Sequence, residues 1–490
     1  MRGCRVALVN PAFKGSFDGF PMGILYLAAA LEETDHEVRV LDYSGSTKDA
    51  AGISTEILDW HPDIVGITGT SPSHFEAMRL ASEIRARCRE VWLVKGGYHE
   101  KYGTTGDALL HETTDGHYTL NYVVSSNAGE AHIVEIANAR SEGRKPKDMK
   151  GLLRFGPTHQ LSRIDYDAVT PTAPRLIPAR HLLEVKKPYE YQGVFGDLRA
   201  TQILTYRGCR FRCTFCAIGG EEGVADLEIV ERDLKTLRAQ GYEAVFVDDG
   251  SFTADWKRAE RICDLLKEYD LEWACQTRID LVNESRLKYM ASRGCKYVYF
   301  GLESGSRRVL KSIKKNLHVE HVGENIRITQ AQGMKAVTSF VFGVPVDGYD
   351  HPDDRDDWEA SVRLIQQAKP DTVVPTIFAY YPGSPAWNDL PFEKRGLYAA
   401  GVSRENIWAW FDDGYGAIHC ISTDVAEEIK EFLQGEIGDF LWRGLDHPEL
   451  IELRPEVSVL SKPSSNLELL DTIPNLGPLT DFAQAVPGNK

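Results

Sequence analysis

No run of apolar residues in this sequence approaches the length needed to cross a bilayer. The first residues also lack the apolar block of a signal peptide. Nine cysteines in 490 residues form no disulfide-like framework, so a reducing cytoplasm is the expected setting. Cationic charge is in short supply: 56 Lys and Arg face 72 Asp and Glu, a formal net charge of -16. That argues against a protein gripping nucleic-acid backbone over a broad face. It mildly favours a small-molecule, peptide or lipid-like substrate over a nucleic acid. With 42% hydrophobic residues, the chain is long enough for two or three domains with substantial cores.

What the sequence does contain is concentrated at Gly208-Cys209-Arg210-Phe211-Arg212-Cys213-Thr214-Phe215-Cys216. Thiols at this spacing can converge on one metal centre, and an iron-sulfur cluster is held by such thiolates. Three is one short of the usual four, so a cubane held here leaves one iron open. Structural zinc normally closes with four ligands and two-residue spacings in both halves. Here the spacing is three then two, with no fourth cysteine or nearby histidine. A disulfide is disfavoured by the odd number and the missing secretory signal. Ile203-Leu204-Thr205 reads as a buried strand running straight into this loop.

The CxxxCxxC spacing, with the aromatic Phe215 before its last cysteine, resembles the radical S-adenosylmethionine enzymes. The resemblance implies that Cys209, Cys213 and Cys216 ligate a 4Fe-4S cluster. The amino and carboxylate groups of S-adenosylmethionine would then occupy the open iron, and its reductive cleavage would give a 5'-deoxyadenosyl radical. The electron would come from a donor such as flavodoxin or ferredoxin.

Residues 1–145 read as an open α/β domain, since short apolar strands alternate with helix-length amphipathic segments. Strands are expected at 5–10, 38–42, 64–68, 91–94 and 122–124, with a helix at 23–33. Near-continuous apolar runs of this kind suit buried parallel strands, and such sheets bind ligands at their strands' carboxyl ends. Pro21-Met22-Gly23, Gly96-Gly97-Tyr98-His99 and Gly129-Glu130-Ala131-His132 resemble the loops of the cobalamin-binding domain that precedes many radical S-adenosylmethionine enzymes. The last departs from the family's GEGE-like turn at Ala131 and His132. The resemblance implies a Rossmann-like domain binding cobalamin through Pro21, Gly23, Thr70, Ser71, His74, Gly96, Gly97, Tyr98, Gly129 and Glu130. No Asp-x-His-x-x-Gly run is present, so the lower face of cobalt is expected to lack a histidine. His74 is the exception to weigh, against its plain reading as a helix start capped by Ser73.

Residues 146–198 are polar and punctuated by prolines, and read as a linker without obvious chemistry. From 199 to 385, strand and helix alternate through six repeats, too few for a closed eight-fold barrel. They resemble the partial (β/α)6 barrel of the same family. Catalytic groups on such folds stand at strand ends, which picks out Asp248, Asp249, Arg278 and Glu303. The plain alternatives are helix capping by the acids and pairing of Arg278 with Asp280. By resemblance, Asp248 and Asp249 hold the methionine amino group, Arg278 and Glu303 meet its carboxylate or ribose, and Val344 lies on the backbone segment facing adenine. No catalytic residue is assigned. Residues 386–490 are expected to form a small, mainly helical, substrate-related region containing the aromatic group Trp408, Trp410, Phe411 and Tyr415.

The resemblance implies a methyltransferase that moves a methyl from S-adenosylmethionine, via methylcobalamin, to an unactivated carbon with the help of the radical. Non-methylating ring contraction, cyclisation or oxidation is the alternative within the family, as is polar methylation of an sp2 carbon. A cobalamin sensor with a structural cluster is the alternative from another class.

Overall fold

Along β1 (Arg5–Asn10), Val6 and Leu8 enter one core while Ala7 and Val9 enter another. The strand is therefore buried on both faces, which is why it reads as an unbroken apolar run. The computed structural model describes residues 3–12, 20–70, 73–97, 119–126, 128–154, 174–183, 194–220, 222–349, 351–381, 383–391 and 423–440. Met1–Arg443 form one unit, and the second, Gly444–Lys490, lies outside the described residues. So do Ser71, Tyr98, Trp408, Trp410, Phe411 and Tyr415.

β2 (Glu37–Asp42), β3 (Ile64–Thr68), β4 (Trp92–Gly96) and β5 (Tyr122–Val124) join β1 in a parallel sheet ordered β2-β1-β3-β4-β5. Leu25, Ala28, Ile133 and Ile136, from helices Met22–Glu32 and Glu130–Ser141, pack into the first core. Ile53, Ala77 and Ile84, from helices Ala50–Asp59 and His74–Arg87, pack into the second. The strand order reverses between β1 and β3, and a doubly wound sheet opens its ligand crevice at the carboxyl ends there.

One expectation needs correction. The segment read as a linker contributes β6 (Leu152–Leu153), which pairs antiparallel with β5 and closes the edge of the first sheet. Two leucines between polar neighbours are too short a run for a strand signal, and it is pairing with β5 that makes them one.

The second sheet is parallel throughout. β7 (Ala200–Ile203), β10 (Ala244–Val247), β11 (Glu272–Thr277), β12 (Cys295–Glu303), β13 (Lys335–Phe342) and β14 (Thr372–Ile377) stand in that order as an open six-stranded barrel. Phe300, Leu302, Phe340 and Phe342 are buried outward beneath the helices, whereas Tyr297, Tyr299, Val337 and Val341 face inward and are half-buried. Phe195, Ala200, Ala244 and Ala274 form a separate apolar group at the strands' amino ends, with Phe195 edge-on to Tyr297. The barrel is thus plugged at one end, leaving the carboxyl end for chemistry.

β7 stops at Ile203 and does not run on through Thr205. The N–H groups of Thr205 and Tyr206 turn instead to the Asp249 carboxylate, at 2.7 and 3.2 Å. The chain leaves the barrel into a two-stranded ribbon, β8 (Tyr206–Gly208) against β9 (Glu222–Val224). The last described helix, Thr423–Ile437, buries Ala426, Ile429, Leu433 and Ile437 against the same core. Among the described residues no helix is long and apolar enough to cross a membrane.

One continuous core holds both sheets, joining Leu25 of the first helix to Leu183, Ile203, Val230 and Leu234. At its centre Arg180, from the supposed linker, donates to Asp233 at 2.6 and 3.1 Å and to the Gln202 carbonyl at 2.8 Å. The Arg180 side chain is 1% exposed. Removing one partner of a buried pair leaves an uncompensated charge, at a cost of roughly 3–5 kcal/mol. Asp233→Asn is therefore expected to lower the denaturant midpoint of unfolding by an amount equivalent to that cost, whereas Arg232→Gln beside it changes nothing measurable.

Candidate cofactor site

The ribbon carries the three thiols, and backbone contacts fix its ends. Asp249 gathers Thr205 and Tyr206 at its root, with the Thr205 hydroxyl adding a third contact at 2.5 Å. The Tyr206 hydroxyl accepts from the Ser251 N–H at 2.6 Å. Gly250, between these anchors, is forced by close approach: a Cβ there would lie 2.8 Å from the Gly208 carbonyl oxygen and 2.9 Å from Cys209 Cβ. At the far end, Gly220 N–H donates to the Cys209 carbonyl at 2.6 Å. Thr214, between the second and third cysteines, donates to the Ile313 carbonyl and accepts from Ala386 N–H, at 3.0 and 2.9 Å.

Cys209 and Cys213 are buried and Cys216 is half-buried. Burial pushes all three thiols up, Cys216 to about 11, and each of Cys209 and Cys216 feels the charge of its neighbours. Among the described residues no three His, Cys, Asp or Glu side chains stand close enough to share one metal ion.

The strand ends supply a charged floor. Glu303 ends β12 in the left-handed region at φ 68°, next to a register shift. Its carboxylate accepts from Lys315 Nζ at 2.6 Å and from Ser339 Oγ at 3.1 Å. Gly301 lies directly beneath it, and a Cβ there would displace the ends of both side chains, at 2.6 Å from Glu303 Oε1 and 2.8 Å from Lys315 Nζ. Lys315 lowers the thiol pKa of Cys209 and Cys213, and Arg278 that of Cys213, so both cations act on the thiol group.

Arg278 follows the plain alternative: it is bound to Asp280 at 2.7 and 3.0 Å and donates to the Lys315 carbonyl at 2.8 Å. Its guanidinium lies 4.5 Å from the ring centre of Phe211, within the cluster loop. Asp249 is likewise committed to backbone N–H groups, which separates it from Asp248. Asp248 is held by the Gln202 and Gln276 amides at 2.8 and 3.3 Å and keeps part of its surface open. Val344 is fully buried, and its carbonyl accepts from Asp353 N–H. Phe215 is half-buried against the core.

In the first sheet the loops after β3 and β4 lock together. Gly97 adopts φ 114°, and a Cβ there would lie 2.3 Å from the Gly69 carbonyl oxygen, while Gly69 N–H donates to Gly96 at 3.0 Å. Glycine at position 97 thus lets the backbones of the two loops approach each other closely. Thr70 is exposed above it, and Gly23 is exposed with open space where a Cβ would be. Pro21 caps the first helix through its carbonyl. Ser73 does not cap by its side chain as expected; its Oγ accepts from Thr70 N–H at 2.9 Å. His74 is buried, with Nδ1 3.1 Å from the buried Lys95 Nζ. The Glu130 carboxylate accepts from Arg207 Nη2 at 2.5 Å.

A profile described as the B12 binding domain matches residues 12–109, and one described as the Radical SAM superfamily matches residues 203–358. The uncharacterized methyltransferase PH0819 of Pyrococcus horikoshii is 30% identical over 385 residues, 75% of this chain and 78% of that protein. The chain belongs to the cobalamin-dependent radical S-adenosylmethionine methyltransferase family. Its cofactors are a 4Fe-4S cluster, S-adenosylmethionine and cobalamin. The cytidylyl-2-hydroxyethylphosphonate methyltransferase of Streptomyces wedmorensis is 25% identical, over 70% of this chain and 73% of its own length. The fold matches the methyltransferase TsrM of Kitasatospora setae, solved with cobalamin and a [4Fe-4S] cluster. Its TM-score is 0.64 at 21% identity, over 84% of this chain and 81% of that one.

Sequence reasoning missed Lys315 and Arg207. Nothing local marks either, beyond two adjacent lysines at 314–315 and an arginine two residues before Cys209.

The Asp248–Asp249 pair generates a pH dependence. Burial pushes Asp248 up to about 7, with Asp249 beside it adding to the shift, and burial holds Asp249 near 6. Both carboxyls thus bind a proton more tightly folded than unfolded, and stability is lost as pH rises from the ordinary value of 3.8 through about 7. Asp248→Asn removes one of the two ionisations. Melting temperature of the apoprotein against pH is expected to fall less steeply for this variant than for the native chain.

Proposed function

We propose that this enzyme transfers a methyl group to an unactivated carbon of a small molecule, peptide or lipid-like compound. The observation that carries the reading is the meeting of the buried thiols of Cys209 and Cys213 with the Lys315–Glu303 pair at the open end of a barrel. A structural cluster needs no such charged floor. The name of the Streptomyces relative supports a small-molecule acceptor.

Cys209, Cys213 and Cys216 would hold three irons of the cluster. Lys315 would release Glu303 in part to receive the carboxylate of S-adenosylmethionine, leaving Glu303 to accept from the ribose hydroxyls. Asp248, with its surface still open, would accept from the amino group, while Asp249 acts through the loop it anchors. Gly343-Val344 offers backbone to the adenine. On the other side Gly96, Gly97 and Thr70 would line the floor under cobalamin. When bound, the cluster and S-adenosylmethionine supply a 5'-deoxyadenosyl radical and cobalamin supplies the methyl group. The chain's part is orientation and exclusion of water, for which the plugged barrel and the single continuous core are suited. Flavodoxin or ferredoxin in the cytoplasm fits as the electron source.

Anaerobic purification with cobalamin supplied is expected to give roughly one cobalt and four irons per chain, the content of one cubane. Product masses then decide: a gain of one methylene, with substrate hydrogen appearing in 5'-deoxyadenosine, supports radical methylation. Methylation without that hydrogen transfer indicates polar chemistry, and absence of 5'-deoxyadenosine with any substrate revives the sensor reading. Lys315→Met is expected to weaken S-adenosylmethionine binding by ~1.5–3 kcal/mol, the worth of a hydrogen bond to a charged group. Titration of the cluster spectrum with the cofactor checks it.

A further inference from the structure

One ion pair joins the turn after β5 to the strand that leads into the cluster loop. Arg207 lies in β8 between Tyr206 and Gly208, and successive side chains of a strand point to opposite sides. Tyr206 goes toward the barrel, where its hydroxyl accepts from Ser251 N–H. Arg207 goes toward the first sheet, where Nη2 donates to Glu130 Oε1 at 2.5 Å, across 77 positions of sequence. Its guanidinium also lies 4.8 Å from the ring centre of Tyr26, on the first helix.

The surroundings make this more than a surface contact. The side chains of Arg207 and Glu130 are 11% and 19% exposed, so the solvent screening that weakens exposed pairs is largely absent. Glu130 opens its helix directly after Gly129, and a Cβ on Gly129 would already touch Leu27 at 3.2 Å. Tyr26 and Leu27 are neighbours on the helix Met22–Glu32. The 129–130 turn, that helix and β8 therefore form one rigid contact, and Cys209 follows Arg207 by two residues.

We propose that Arg207 is a positioning residue that fixes the cobalamin-side turn against the cluster loop, so that this ion pair sets the separation of the two cofactors. The proposal rests on the cofactor assignment above. Its chemical point is geometric: a misplacement of about 1 Å between reacting groups costs on the order of 100-fold in rate.

The test uses the full chain loaded with cob(II)alamin and a one-electron-reduced cluster. Both are paramagnetic, and their dipolar coupling in the EPR spectrum reports separation without substrate or turnover. Arg207→Met is expected to keep its iron and cobalt while the coupling broadens. With substrate, 5'-deoxyadenosine formed per methyl transferred is expected to rise roughly tenfold, from the same loss of alignment. The exchanged pair, Arg207→Glu with Glu130→Arg, is expected to restore the native coupling. An unchanged coupling in Arg207→Met, or an exchanged pair as broad as the single variant, overturns the proposal. Should Arg207→Met lose its cluster, Glu130→Gln leaves the cluster loop intact, and an unchanged coupling there overturns it equally. No coupling in the native chain would strike at the cofactor reading itself, whereas native coupling that Arg207→Met leaves intact strikes only at this proposal.

Discussion

The Asp249 carboxylate is the contact on which the site depends. By taking the N–H groups of Thr205 and Tyr206 and the Thr205 hydroxyl, it ends the first barrel strand and turns the chain outward. The start of the cluster loop follows from that turn. The ribbon starts there, the pleat sends Tyr206 and Arg207 to opposite sides, and Gly250 must be glycine because the loop returns across it. A buried carboxylate is costly unless its oxygens are satisfied, and here the partners are the groups a strand end would otherwise leave unpaired.

Charge around the thiols is arranged in pairs. Lys315 with Glu303 and Arg278 with Asp280 place cations near Cys209 and Cys213 while keeping each cation neutralised. The pairs are tied to one another, since Arg278 also donates to the Lys315 carbonyl and stacks on Phe211. The left-handed backbone at Glu303 is strain of the kind that functional sites retain. It bends the carboxylate back over Gly301, where an ordinary strand end would have pointed it onward.

The two sheets are joined by packing and by buried polar contacts with different tasks. Arg180 with Asp233 ties the 174–183 segment to the barrel within the shared core. Arg207 with Glu130 lies nearer the open ends. A domain pair linked only by a polar linker would be free to move, whereas among the described residues of that segment Leu152 and Leu153 pair with β5 and Leu183 packs into the shared core.

Much of this was legible in the sequence. The spacing of Cys209, Cys213 and Cys216, the apolar runs of β1, β3, β5, β10 and β11, and the polar residues that end the barrel strands are local patterns, and local pattern is what periodicity and spacing report. The roles of the strand-end residues were not legible. Asp248 and Asp249 are adjacent and alike in sequence, yet one faces amides in the barrel and the other holds backbone N–H groups 44 residues away. Arg278 has its partner two residues on, while Lys315 and Glu303 meet across 12 positions and Arg207 and Glu130 across 77. The sequence by itself determined which cofactor chemistry and which strands the chain contains, because those depend on neighbours along the chain. Only the tertiary structure decided which charges meet, because burial and pairing energies depend on distances in space that no spacing along the chain encodes.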